Sequence, residues 1–116
     1  MKGRISDKAR LQHILDAIKE LEKYVLNIAI DEFSKSSEKK FASVKQLEII
    51  GEAASKITLE TKSRYSDIEW TKIVALRNIL VHEYYIIDTE VVWNIINNNI
   101  PPLKKQIIAL LKDFDG

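Results

Sequence analysis

At 116 residues the chain has the length for one domain, taken as 1–116, with a single core, and its lack of cysteine excludes a disulfide scaffold, a thiolate metal site and a cysteine nucleophile. Apolar residues make up 46% and charged residues 30%, a globular rather than a disordered balance, and three glycines with two prolines are too few turn residues for a β-sandwich. The net charge of +1 does not announce a nucleic-acid binder, so any RNA contact has to come from a local patch or from symmetry joining two patches.

The basic start, Met1 to Arg4, is followed by no apolar stretch of signal-peptide length, and no segment nears the roughly 20 apolar residues that span a bilayer. A cytoplasmic protein without a membrane partner is expected. The first helix is expected over about Ser6 to Asn27, where Leu11, Ile14, Leu15, Ile18, Leu21, Val25 and Ile28 recur at three- and four-residue steps. Ser6 or Asp7 can cap it by accepting a hydrogen bond from a free N–H of the first turn. Asp31, Glu32 and Phe33 read as a short helical turn before the polar break Ser34 to Ser37. A second long helix is expected from about Glu38 to Thr58, with Phe41, Val44, Leu47, Ile50, Ala54 and Ile57 inward. Gly51 inside it costs about 1 kcal/mol against alanine. Close approach of a neighbouring helix is the use that would justify it, a plain surface glycine being the alternative.

Thr61 to Asp67 reads as a loop, with Ser66 or Asp67 capping a third long helix over about Ile68 to Glu83. Asp88 or Thr89 starts a fourth, which Asn97 to Asn99 followed by Pro101 and Pro102 should interrupt, because proline donates no helical N–H. A last helix over about Pro101 to Lys112 would turn Leu103, Ile107, Leu110 and Leu111 inward. The fold class is therefore all-α, an antiparallel bundle of four to five helices.

The third helix carries the chemistry. On a wheel of about 100° per residue with Arg77 at zero, Ile73, Leu76, Ile79 and Leu80 share one arc that should face the core. Asn78 and His82 fall at roughly 100° and 140°, and Tyr84 returns close to Arg77. Val74, Ala75 and Val81 lie among these polar residues, so a second surface, most simply a homodimer interface, is expected to dock there. His82 can exchange a proton near neutral pH, and Arg77 can grip a phosphate through two parallel hydrogen bonds. Those parts suffice for metal-free RNA cleavage in which the 2′-hydroxyl attacks its own phosphodiester. Alone, an Arg and a His five apart on a helix are more often structural.

The stretch Arg77-Asn78-x-Leu80-x-His82-x-Tyr84 resembles the Arg-x4-His-x-Tyr signature of the HepT-like toxins of the HEPN superfamily. The run Leu47 to Ala54, Trp70, the pair Val92 and Trp93, and Ile100 to Leu103 also fall at family-like places, so the resemblance covers nearly the whole chain. It implies a HEPN domain that dimerises and acts as the toxin of a type VII toxin–antitoxin pair. Arg77 and His82 would be the catalytic residues of an endoribonuclease cutting mRNA or tRNA at a symmetric cleft, with Asn78 in support. No metal and no cofactor would be needed for cleavage. Tyr84 would be the modification site, to which an MntA-like minimal nucleotidyltransferase antitoxin transfers AMP with ATP and Mg²⁺. The added bulk and negative charge beside Arg77 would compete with the RNA phosphate. Tyr85 lies about 80° away from Arg77 and is the poorer target. The alternative is a non-catalytic HEPN module that docks a nucleotidyltransferase.

Other residues carry blander expectations. Glu48 and Glu52 share a helix face, as ordinary surface charge or with one of them pairing to Arg77. His13 reads as a partly buried polar residue rather than a catalyst. Trp70, Trp93, Tyr24 and Tyr65 read as packing residues, with base stacking as the other use of an exposed aromatic. Lys35, Lys39, Lys40 and Lys45 read as a solvated face.

Overall fold

A computed structural model describes residues 6–78 and 88–115; His82, Tyr84 and Tyr85, together with Ile79, Leu80 and Val81, lie outside the described residues. Among the described residues there is no strand, and the all-α expectation holds. Helix α1 spans Asp7–Val25 and is capped by Ser6, whose hydroxyl accepts the Ala9 N–H at 3.1 Å. Its stripe behaves as the periodicity requires: Leu11, Ile14, Ile18 and Leu21 are fully buried. Asn27, with φ 58°, ends the helix in the left-handed region that asparagine tolerates better than most side chains.

The short α2, Ile30–Lys35, buries Phe33 and stops at Ser36, whose hydroxyl caps the next helix by accepting from the Lys39 N–H. That helix, α3, spans Ser37–Ser55 and buries Ser43, Leu47, Ile50, Ala53 and Ala54. Phe41 was expected inward but is 52% exposed. Roughly 120° separates it from Leu47 around the helix, and Ser43 occupies the inward place instead.

Asp7 does not cap α1. Its carboxylate accepts from the Thr58 N–H at 3.1 Å and from the hydroxyls of Thr58 and Thr61. Thr58 in turn caps α4, Leu59–Arg64, which occupies most of the expected loop Thr61 to Asp67. At the other end of α1, the Tyr24 hydroxyl accepts from Gln46 Nε2 at 3.4 Å. Contacts between residues 7 and 58 at one end and 24 and 46 at the other make α1 and α3 antiparallel.

Helix α5 runs only over Trp70–Ala75, begins after Glu69 and has no side-chain cap, so neither Ser66 nor Asp67 starts it. Helix α6, Thr89–Asn94, is capped by Asp88, which accepts from the Val91 N–H. The interruption expected at the asparagines is absent. Ile95–Asn99 form a π-helical turn that leads without a break into α7, Ile100–Asp115. The wider turn lets the Ile100 N–H reach the Ile95 carbonyl, and the two prolines follow directly in the first turn of α7. Leu103, Ile107, Leu110 and Leu111 are buried as expected. Each such side chain contributes about 1.5–3 kcal/mol on full burial.

Helix α1 packs against both α3 and α7, and α3 also packs against α5. No helix of the described residues is long and apolar enough to cross a membrane.

Candidate active site

Gly51 positions the site. A methyl group built on it would stand 2.5 Å from the Arg77 backbone nitrogen, 2.9 Å from Arg77 Cβ and 3.1 Å from the Val74 carbonyl oxygen. Close approach is thus the reason for the glycine: it lets the backbone that follows α5 rest directly on α3.

That backbone changes its hydrogen bonding at the motif. Leu76 N–H donates to Ile73 O at 3.0 Å, Arg77 N–H to Val74 O at 3.3 Å and Asn78 N–H to Ala75 O at 3.0 Å. These are i→i−3 bonds, tighter than an α-helix, so a 100° wheel does not describe Arg77 and Asn78. Arg77 faces α3 of its own chain rather than pointing straight away from it. Val74 is half-buried against the core, whereas Ala75 is exposed; the outward small-apolar face expected from the wheel therefore loses Val74.

Arg77 Nη1 lies 3.4 Å from Glu52 Oε2, so of the two acidic candidates Glu52 supplies the partner. The side chains are 40% and 56% exposed, and a pair so open to solvent contributes no more than about 1 kcal/mol. Its value is geometric, because it holds the guanidinium at the edge of α3. Glu52 Oε1 also sits 3.8 Å from Lys56 Nζ, which divides its charge between two cations.

Arg77 and Asn78 line an open groove of about 780 Å³ along the α1–α3 seam. Arg10 and His13 enter it from α1, and Lys45, Glu48, Ile49, Glu52 and Ala53 from α3. His13 is exposed rather than partly buried, and it shares the groove with Arg77. Arg10 carried no expectation at all. Its spacing of three from His13, at the margin of the Leu11–Ile14 stripe, was the available signal; what no local pattern supplies is the register that sets both opposite the end of α3. Lys45 belongs to the groove as well as to its lysine cluster.

Trp70, Trp93, Tyr24 and Tyr65 pack in or against the core. Trp70 is buried and its indole N–H donates to the Tyr65 carbonyl at 3.1 Å. Trp93 lies 5.3 Å from Phe33, ring to ring, and the Tyr65 hydroxyl donates to Asp113 Oδ2 at 2.9 Å. None of the four lines the groove. Among the described residues, no three His, Asp or Glu side chains gather closely enough to hold a metal ion.

Comparison with known proteins gives this geometry a family. The family model described as Ribonuclease HepT-like matches residues 14–110. A Thermococcus cleftensis protein with the provisional name ribonuclease HepT is 33% identical over 107 residues, covering 92% of this chain and 97% of that protein. A Methanocaldococcus jannaschii protein with a provisional RNase name is 31% identical over 109 residues, covering 94% of this chain and 90% of that protein. A second protein of the same organism, named for γ-glutamylcyclotransferase and RNase together, is 32% identical over 108 residues. There the match takes in 93% of this chain but spans only 49%, about half, of the longer protein. No solved structure matches. With 97 consecutive positions from 14 to 110 inside one family model, the chain belongs to the ribonuclease HepT-like family.

Proposed function

We propose that this protein is a metal-independent endoribonuclease that works as a homodimer and is the toxin of a toxin–antitoxin pair. The observation that carries the reading is Arg77, seated on Gly51 and oriented by Glu52 at the wall of an open groove of about 780 Å³. The family match and the RNase names of the relatives support it.

In this reading His82 takes the proton of the RNA 2′-hydroxyl as that oxygen attacks the adjacent phosphorus. Arg77 donates to the phosphoryl oxygens, whose negative charge grows in the transition state, and Asn78 orients the substrate beside it. The leaving 5′-oxygen takes up a proton, and the product ends in a 2′,3′-cyclic phosphate. DNA lacks the nucleophile and is spared. Silencing comes from a nucleotidyltransferase partner that uses ATP and Mg²⁺ to place AMP on the Tyr84 hydroxyl with release of pyrophosphate, adding bulk and negative charge that compete with the RNA phosphate.

The test is incubation of purified protein with total RNA in EDTA. Wild type should release fragments with 2′,3′-cyclic phosphate ends, and Arg77→Ala and His82→Ala should each lower cleavage at least about 100-fold. Tyr84→Phe should cleave as wild type yet escape silencing by the partner with ATP and Mg²⁺. Folded Arg77→Ala and His82→Ala variants that cleave like wild type would end the assignment. Absence of cleavage by wild type would leave the docking module as the function of the domain.

A further inference from the structure

We propose that Arg10 and His13 of α1 form a phosphate-contacting wall of the groove, which holds the RNA backbone beside the bond that Arg77 addresses. They are positioning residues, and the proposal rests on the ribonuclease reading above.

Register brings them to the site. With α1 and α3 antiparallel and Asp7 bound to Thr58, the first turns of α1 lie level with the C-terminal half of α3, where Gly51 and Glu52 hold Arg77. Arg10 and His13, three apart on one helix face, enter the same groove there.

The cations of the groove are not equally committed. Arg77 already faces Glu52, whereas Arg10 pairs with no carboxylate among the described residues. The Arg10 Nε is buried and has no hydrogen-bond partner among the described residues. A shielded cationic N–H without an acceptor is costly, and native proteins rarely keep one without a use. The planar guanidinium matches a phosphate better than any other side chain does. His13, exposed three residues on, adds an imidazole N–H donor. Lys45, also exposed and without an ion pair among the described residues, extends the positive wall along α3. The groove, of about 780 Å³, sets Arg10, Lys45 and Arg77 against Glu48 and Glu52, so its lining is net positive and offers separate cations to successive phosphates of a strand.

The measurement is binding of a short fluorescent 2′-O-methyl oligoribonucleotide, which presents phosphates but cannot be cut, as a function of salt. Arg10→Gln should weaken binding about tenfold. Its log–log salt slope should be smaller than that of wild type by about 0.7, the loss of one phosphate contact on a single strand. His13→Gln should weaken binding severalfold. Arg10→Lys, which keeps the charge, should restore the slope and part of the affinity. On cleavable RNA the Arg10→Gln defect should appear in KM, with kcat within about twofold. Lys112→Gln, on an exposed site away from the groove, is the charge-matched control and should leave the slope unchanged. Arg10→Gln and His13→Gln proteins with wild-type helicity, affinity and slope would overturn the wall while leaving cleavage by Arg77 and His82 intact. Binding that depends on Arg10 in a protein that never cleaves would uphold the wall and end the ribonuclease reading.

Discussion

At the scale of single residues, Gly51 and Glu52 act on Arg77 in different ways, and two substitutions separate them. Gly51→Ala places a methyl against backbone nitrogen and a carbonyl oxygen, groups that cannot rotate aside. Overpacking of this kind costs about 1–3 kcal/mol, against about 1 kcal/mol recovered from alanine's better helix propensity. The expected result is a net loss of up to about 2 kcal/mol in urea denaturation, together with a fall in cleavage as Arg77 shifts. Glu52→Gln removes two ion pairs, to Arg77 and to Lys56, in which every side chain is at least 40% exposed. Stability should then change by less than about 0.5 kcal/mol, while kcat falls severalfold because the guanidinium loses its orientation. Equal stability losses in the two variants would contradict this division. Both residues were legible as candidates: a glycine inside a helix asks for a close neighbour, and glutamates four apart share a face. Which glutamate met Arg77 was not legible, because that depends on where the turn after α5 lands on α3.

At the scale of elements, reading succeeded where a helix carries its own signal. The stripe of α1 and the stripe of α7 are periodic, and both are buried as the period requires. It failed where long-range partners decide. The stretch Thr61 to Asp67 reads as a loop because it shows little periodicity; Asp7, more than 50 positions earlier, supplies the hydrogen bonds that fix the start of α4, which covers Thr61 to Arg64 of it. The asparagine–proline run was read as a break because proline forbids the ordinary α-helical bond, yet one wide π turn satisfies the backbone and keeps the axis going. The same α4 region is tied to α7 by Tyr65 and Asp113, and this link is sensitive to pH. The Tyr65 phenol is held above its ordinary value of 10.0, first by the hydrogen bond to Asp113, then by desolvation and the Asp113 charge, with Arg64 pulling it down. A raised folded value means that the bond's contribution is fully present below the unfolded value and is lost as pH rises through the folded one. The stability difference between wild type and Tyr65→Phe should therefore be level from neutral pH to about pH 9 and close above about pH 10 in a urea series. A gap that persists unchanged above the phenol's titration would mean that Tyr65 acts through packing alone.

At the scale of the whole molecule, one protomer presents an open groove with Arg77 on its wall and an overall charge of only +1, so no strong field gathers RNA onto a single chain. Two protomers meeting about a twofold axis would set two such walls face to face and double the local positive charge without altering the net charge per residue. If cleavage needs that shared site, the rate per chain must follow the fraction of chains that are paired. Dilution should lower the rate per chain, to half at the concentration where sedimentation velocity finds half the chains in dimers. Mixing Arg77→Ala with His82→Ala protein tests the same point from the other side. Exchange between the two inactive dimers should restore activity if the working pair comes from opposite protomers, and leave the mixture inactive if each protomer needs both of its own. A rate per chain that holds constant while the dimers dissociate would confine the whole site to one protomer, and the groove between α1 and α3 would then have to bind the strand unaided.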